Sequence, residues 1–393
     1  MLRSACLLLL AALSLHAAET AVTIVSSLPR TGSAAVQTGS IVNGIRMALA
    51  EAPPGLRFTY HDWDDASPER GAWDPALEQA NAARAIADPA VVAYIGAYNS
   101  GATKLVMDRL NAAGLAQISP TNTYTGLTKP GKGEQGEPEK YRPSGRVTFF
   151  RVVPADDIQG AVAARWAAGL GAVRAFVLHD REIYGKGLAD TFRDQAARQR
   201  IEVVGYEGLD PRAGNYRALM TKIRQSGADL VYFGGTAQTN AGQVAKDLAA
   251  NGLGKVRLML PDGCLESSFL AAGGGAALDG RVFLTFGGVP PERLTGPGAE
   301  FVRRYRAAHQ ADPEAYAVYG YEAARAVVAA VARAAAAGAA DRTGVLREIA
   351  LTRDLEGALG RWSFDANGDT TLAVMSGNTV KDGRFAFVTL LGE

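Results

Sequence analysis

Residues Val91 to Thr123 read VVAYIGAYNSGATKLVMDRLNAAGLAQISPTNT. An apolar run, Val91 to Ile95, stops at Gly96, and the polar loop Tyr98-Asn99-Ser100-Gly101 leads straight into an amphipathic helix expected over Ala102 to Ala113. A second apolar run, Leu115 to Ile118, ends in the polar turn Ser119-Pro120-Thr121-Asn122-Thr123. Strand, helix and strand in that order make a βαβ unit whose two strands bring hydroxyls and free backbone N–H groups to one edge of a sheet. Open α/β sheets place ligands at that edge. Ser100 falls at a helix N-terminus, where the summed peptide dipoles favour an anion, so a carboxylate suits the place. Plainer uses exist: Ser100 could only cap its helix, and Thr123 could only make a turn.

The same alternation extends both ways. Upstream, Val22 to Ser27 is expected as a strand, Ser33 to Gly39 as a small-residue loop, and Asn43 to Glu51 as a helix. Leu56 to His61 is the next strand, ending in the acidic turn Asp62-Trp63-Asp64-Asp65, and Leu77 to Asp88 the next helix. Downstream, Thr125 to Gly145 is rich in Gly, Pro, Lys and Glu and predicts a long surface loop. Strands are then expected at Val147 to Val153, Ala175 to His179, Val203 to Tyr206, Leu230 to Phe233, Arg257 to Leu260 and Gly280 to Phe286. The intervening helices are Gln159 to Leu170, Tyr184 to Arg200, one around Tyr216 to Ile223, and Thr239 to Ala250. Strands alternating with helices of about 10–15 residues imply parallel sheets covered on both faces. Two such runs, meeting near residue 150, predict two doubly wound lobes. The tail departs from the pattern, with helices over Gly298 to Gln310, Tyr316 to Gly338 and Thr343 to Leu351. Strand-like stretches follow at Arg361 to Asp365 and Leu372 to Val388, the latter broken at Asp382-Gly383.

The 393 residues are 48% hydrophobic and 21% charged, with a formal net charge of +1 from 41 basic and 40 acidic side chains. That balance suits an ordinary globular protein and points to neither nucleic acid nor an anionic membrane. Residues 1–18, MLRSACLLLLAALSLHAA, combine Arg3, a short apolar core from Leu7 to Leu15, and the small pair Ala17-Ala18. This is the pattern of a secretory signal, too short to span a membrane, and its loss would remove Cys6 and His16. No later stretch has about 18 uninterrupted apolar residues, so no membrane span is expected. Cys264 would be the only thiol of the exported chain, leaving no internal disulfide.

Catalytic and cofactor signals are weak. No G-x-x-x-x-G-K-[ST] loop or G-x-G-x-x-G follows a strand, and no H-x-x-x-H pair or cysteine cluster suggests a metal. The run Asp365-Ala366-Asn367-Gly368-Asp369 starts like a calcium loop, but Thr370 and Ser376 stand where glycine and glutamate are needed, so a turn is expected. His179-Asp180 could be half of a triad, without a G-x-S-x-G elbow beside it. No enzyme activity, cofactor or metal is expected. What recurs instead is polar chemistry at strand ends: Ser100 and Thr123 in the first lobe, then Tyr184, Thr236 and Asp262 in the second. An Asp at a strand's end could receive an ammonium group, or only form an Asp-Gly turn. Tyr184 could equally be a core aromatic. Taken together the set offers donors to a carboxylate and an acceptor to an amine, as burial of a zwitterion requires.

At these residues the chain resembles the periplasmic leucine/isoleucine/valine-binding proteins, the receptors of branched-chain amino-acid ABC importers. Motifs agree in order along nearly the whole mature chain: Asn43-Gly44, Asp64-Asp65, YIGAYNSGAT from Tyr94, ISP from Ile118, HDREIYGKG from His179, DLVYFGG from Asp229, PDG from Pro261 and FDANGD from Phe364. The resemblance implies an α/β fold of the type I periplasmic binding class: two Rossmann-like lobes, a ligand cleft between them and three crossovers. Those would fall near Arg151 to Pro154, Phe286 to Pro290 and Gly357 to Arg361, giving one lobe of residues 19–150 with 290–358 and another of 151–287 with 359–393. It also implies roles. Ser100 and Thr123 would hold the ligand carboxylate with backbone groups near Asn122. Asp262 would take the ammonium, Tyr184 would close the cleft, and Thr236 would stand where founding members carry an aromatic residue. Gln37 likewise replaces an aromatic residue, and Asn99 a disulfide cysteine.

The expected function is therefore an exported receptor that closes on an amino acid and delivers it to the membrane permease of an ABC transporter. Its expected location is the periplasm or cell exterior, with no nucleic acid among its partners. Receptors of the same fold for amides, urea or aromatic acids are the nearest alternative, and a ligand-sensing domain another.

Overall fold

The computed structural model describes residues 19–392; the expected signal, residues 1–18, lies outside them. The first run builds strands β1 (Thr20–Leu28), β2 (Leu56–Asp64), the two-residue β3 (Ala66–Ser67) and β4 (Ala72–Trp73), β5 (Val91–Gly96), β6 (Ala116–Ser119) and β7 (Phe149–Arg151). Between them lie α1 (Ala35–Ala50), α2 (Pro75–Ala87) and α3 (Ser100–Ala112). Five strands form a wholly parallel sheet in the order β2-β1-β5-β6-β7. Every residue of β5 is buried, as expected of a parallel strand covered by helices on both faces.

The second run builds β8 (Arg174–His179), β9 (Glu202–Gly208), β10 (Leu230–Gly234), β11 (Arg257–Leu260) and β12 (Val282–Gly287). Its helices are α4 (Asp156–Gly169), α5 (Ile183–Ala196), α6 (Arg217–Ser226), α7 (Ala241–Ala250) and α8 (Ser267–Gly273). After β12 the chain returns to the first sheet through α9 (Pro297–His309), α10 (Ala317–Ala336) and α11 (Arg342–Ala350), with α10 against α1 and α11 against β5. Glycines permit that α1–α10 approach. A Cβ on Gly44 would stand 2.2 Å from the Ala317 carbonyl oxygen, and one on Gly320 2.6 Å from that of Ile41.

A short hairpin, β13 (Leu355–Gly357) with β14 (Gly360–Trp362), stays with the first sheet's helices. There the buried Glu322 of α10 accepts from Trp362 Nε1 at 2.7 Å and from the Ala358 N–H at 2.8 Å. Asp369 pairs with Arg151 at 2.6 Å, both buried. Only beyond this pair does the chain enter the second sheet, as β15 (Met375–Lys381) and β16 (Arg384–Leu390), later than the Gly357–Arg361 expected. These two strands are antiparallel, and the full order is β16-β15-β12-β11-β10-β8-β9.

Several boundaries differ from the sequence reading, for tertiary reasons. The stretch Ser33–Gly39, expected as loop, is mostly the first turn of α1, where Thr38 turns its hydroxyl back to the carbonyls of Pro29 and Ala34. β2 runs on through Asp62–Asp64, expected as a turn, because β1 pairs with it as far as Leu28. α4 starts at Asp156 rather than Gln159, and the seven-residue α8 was not anticipated. The expected surface loop Thr125–Gly145 is pinned in part by a buried carboxylate. Glu137 accepts from Tyr141 at 2.6 Å, Tyr124 at 2.9 Å and the Glu134 N–H at 2.8 Å, and lies 2.7 Å from Lys104 Nζ. No helix among the described residues is long and apolar enough to cross a membrane.

Candidate ligand-binding cleft

The carboxyl ends of both sheets face each other across a cavity of about 340 Å³. Ser100, Asn99 and Trp73 line it from the first sheet, and Asp180, Tyr184, Thr236 and Gln238 from the second, with the exposed Arg70, Arg181 and Arg212 at its edge. Of the residues singled out in the sequence, Ser100, Tyr184 and Thr236 stand in this wall. Asn122, Thr123 and Asp262 are buried outside it, Asp262 directly behind Tyr184.

On the first side, Ser100 is the first residue of α3 and Asn99 is its N-cap, so Ser100 does not cap the helix. Asn99 makes no side-chain capping bond, and its Oδ1 is buried without a partner. An uncapped helix start keeps its N–H groups free for an anion. The neighbouring turn is held rigidly. Asn122 Nδ2 donates to the Tyr98 carbonyl at 2.8 Å, its Oδ1 accepts from Thr103, and its N–H donates to Ser119 Oγ at 2.9 Å. Arg151, fully buried, donates to the carbonyls of Asn122 at 3.2 Å and Tyr124 at 2.9 Å. Asn122 thus has its polar groups engaged within the protein and acts as a positioning residue. Thr123 is different: its hydroxyl is buried and unpartnered.

On the second side Asp262 is the centre. Its Oδ1 accepts from the Tyr184 hydroxyl at 2.5 Å and from Gln159 Nε2 at 2.9 Å, while Oδ2 accepts from the Tyr316 hydroxyl. Burial pushes its pKa up, and these three donors pull it back towards the ordinary carboxylate range. Tyr184 in turn accepts from the Gly263 N–H at 3.0 Å. Thr236 anchors the start of a short 3-10 turn through Thr239: its N–H donates to Thr239 Oγ1 at 2.8 Å, and the two hydroxyls lie 3.2 Å apart.

Three further groups belong to this place and were not anticipated. Tyr316, just ahead of α10, reaches Asp262 from the first sheet's side. Gln159 orients Asp262 and also donates to Thr285 Oγ1 at 3.0 Å. Asp156 opens α4 with its N–H bonded to the Thr123 carbonyl at 2.8 Å, and both of its carboxylate oxygens are buried without a partner. Desolvation holds its pKa well above the ordinary range, and the negative charge of Asp262 raises it further. The nearby Thr123 hydroxyl lowers it a little, though that pair falls short of hydrogen-bond geometry. Only the placement of Asp156-Asp157 just after a strand could have signalled this, and an acidic first turn has an ordinary explanation in the helix dipole.

The remaining sequence candidates have structural duties. His179 Nδ1 accepts from the Arg181 N–H at 3.1 Å, and Asp180 accepts from the Glu182 N–H at 2.9 Å and Thr239 at 2.8 Å. Cys264 is buried in the core cluster, its thiol pushed up by burial. Asp365 folds its Oδ1 back onto the N–H groups of Asn367 at 2.8 Å and Asp369 at 2.9 Å, as a turn does. No group of three or more metal-ligating side chains occurs among the described residues.

Residues 21–384 match the family model described as periplasmic binding protein. An amino acid binding protein of Pseudomonas aeruginosa is 32% identical over 76% of this chain and 74% of its own length. A Leu/Ile/Val-binding protein homolog from Brucella suis is 31% identical over 88% of this chain and 86% of its own. Among solved structures, a leucine binding protein, LivK, from Thermotoga maritima superposes with a TM-score of 0.81 at 25% identity, covering 94% of this chain and 98% of that one.

Proposed function

The chain belongs to the periplasmic binding protein family, and from that membership we propose that it is an exported receptor of an ABC importer for an α-amino acid. One observation carries the reading: the uncapped N-terminus of α3, with Ser100, shares a cavity wall with Tyr184, whose hydroxyl is bonded to Asp262. A carboxylate meets positive partial charge on one lobe while an ammonium meets a carboxylate on the other. Both charges leave water with partners, the condition for burying them. In this reading Ser100 and Thr123 hold the ligand carboxylate, Asn122 shapes the turn beneath it, Asp262 and Asp156 take the ammonium, and Tyr184 and Thr236 close the cleft. The protein binds and does not catalyse.

The lobes are assigned as residues 19–150 with 290–368 and 151–287 with 369–392, the last crossing moved from the expected Gly357–Arg361 to Asp369–Met375 on the contacts of Arg151 and Trp362. Closure of one on the other is the signal a membrane permease would read, since a ligand favours the closed form only through contacts with both lobes. Residues 1–18 would direct export to the periplasm or cell exterior.

The test is thermal unfolding of the mature protein, refolded free of ligand, against the twenty amino acids, urea, short amides and benzoates. A ligand at about 100 times its Kd adds about 2.7 kcal/mol to the folded state. Shifts with amino acids support the reading. Shifts with amides or aromatic acids alone would replace the ligand class and remove Asp262 from its role.

A further inference from the structure

Glu266 is a buried carboxylate that the grip on an amino-acid backbone does not use. It is 1% exposed, and neither of its oxygens has a hydrogen-bond partner. Its place is the interface of the two lobes, immediately after the turn that carries Asp262. The residue before it, Leu265, accepts a hydrogen bond through its carbonyl from Gln37 Nε2 of α1 at 3.3 Å. The residue after it, Ser267, donates its N–H to the Glu314 carboxylate at 3.3 Å. Tyr98, from the loop that leads to Ser100, is buried among the same groups. After desolvation, Glu266 is the foremost influence on its phenol, followed by Asp262 and Glu314. The one charged neighbour that bears on Glu266 itself is Glu314, a like charge that makes an unpaired carboxylate less favourable still.

The donors of the backbone grip are already matched. An α-ammonium has three N–H groups, and the carboxylates of Asp262 and Asp156 supply acceptors for them. Glu266 is left over, two carboxylates being enough for one amine. The amide of Gln37, which donates to the Leu265 carbonyl and accepts from the Tyr316 N–H at 3.2 Å, meets this segment from α1, so the seam beside Asp262 carries polar groups from both sides.

We propose that Glu266 is the specificity-determining counter-charge for the ligand's side chain, and that the ligand is an α-amino acid bearing a second positive group, an alkylammonium or a guanidinium. This rests on the amino-acid reading above and narrows it. Specificity follows from both directions: a cationic side chain satisfies Glu266, whereas an aliphatic one would bury it against hydrocarbon.

Isothermal titration of the ligand-free refolded mature chain with lysine, ornithine, arginine, leucine and norleucine tests it, norleucine matching lysine's stem without the charge. The expected result is a preference of at least about tenfold for a cationic amino acid over norleucine. Glu266→Gln should erase that preference by weakening the cationic ligand at least about tenfold, with norleucine within about threefold of wild type. Glu266→Met serves the same end should the glutamine variant misfold. Tighter binding of leucine or norleucine by wild type, or a preference that survives both substitutions, overturns the proposal. The two readings fail differently. Asp262→Asn should weaken lysine and norleucine by the same factor, whereas a well-folded wild-type protein that binds none of the five overturns this proposal, and one that binds none of the twenty amino acids overturns the amino-acid reading itself.

Discussion

Asp262→Asn separates the charge of the group proposed to bind the amine from its structural work. Asp262 is 2% exposed and accepts from Tyr184, Gln159 and Tyr316. Removing one partner of a buried, hydrogen-bonded charge pair weakens binding by about 2–5 kcal/mol, which at about 1.4 kcal/mol per decade is about 30-fold to 4,000-fold in Kd. Stability should move the other way. Burial raises the folded pKa of Asp262 above its unfolded value of 3.8. Its stabilising balance is therefore full below the unfolded pKa and lost as pH rises through the folded one, so at neutral pH the charge costs the ligand-free fold something. Asparagine removes that cost and keeps an acceptor, and a phenol can turn to accept from its amide. The ligand-free variant should unfold at the wild-type temperature or higher. Asp262→Ala should lose binding as severely but unfold earlier, because it strands the buried Tyr316 hydroxyl at a cost of about 1–3 kcal/mol. Titration calorimetry and differential scanning calorimetry on the two variants read the two effects apart. Amino-acid affinity within about threefold of wild type in Asp262→Asn would refute the assignment.

Other consequences are smaller and independent. Asp156→Asn should weaken amino-acid binding by about tenfold, less than Asp262→Asn, because one charged acceptor remains for the ammonium; unchanged affinity by calorimetry would leave Asp156 a structural residue. Tyr316→Phe removes an interlobe hydrogen bond of about 1 kcal/mol, and should weaken charged and uncharged ligands by the same factor, whereas a ligand-dependent change would place Tyr316 in the side-chain pocket. Burial alone would raise Glu137, but Lys104, Tyr141, the Glu134 N–H and Tyr124 outweigh it and bring the pKa to about 2, against 4.5 for the free group. Its stabilisation is thus present above pH 4.5 and lost between there and about 2, so thermal scans should show Glu137→Gln losing less stability than wild type over that window. Gly44→Ala gains about 1 kcal/mol of helix propensity but drives a Cβ to 2.2 Å from the rigid Ala317 carbonyl; overpacking of this kind costs about 1–3 kcal/mol, and urea denaturation should show net destabilisation.

The parts of this molecule legible in its sequence are those governed by short-range periodicity. β5 and β10 are unbroken apolar runs and are buried throughout, so their place inside parallel sheets could be read directly. Helix starts were harder, because the first turn of α1 is held by contacts with α10 and by Thr38 folding back on its own chain, neither visible as a cap. The antiparallel β15 and β16 read as strands, but nothing local says that they extend the second sheet. In the cleft, Ser100, Tyr184, Thr236 and Asp262 stood out because each ends a strand or starts a helix. Tyr316 did not, since it opens an apolar helical pattern in which a tyrosine is ordinary core. Gln159, 103 residues from Asp262, and Glu266, hidden between an Asp-Gly turn and an unremarkable short helix, carried no local signal at all.

The donors around Asp262 also bear on how binding could be coupled to closure. Gln159 and Tyr184 come from helices packed on the second sheet, while Tyr316 comes from the segment ahead of α10, which packs on the first. The carboxylate proposed to take the amine is therefore fully oriented only when the lobes are together. A ligand meeting an open molecule finds Asp262 short of one donor, and its measured affinity carries the fraction of molecules already closed. Gln37 to Leu265 and Ser267 to Glu314 add to the same closed arrangement without engaging the amine. Contacts of that second kind raise affinity for every ligand alike. Discrimination has to come from groups whose balance changes with the ligand's side chain, and at the seam beside Asp262 the group proposed for that task is Glu266, whose two buried oxygens have no partner.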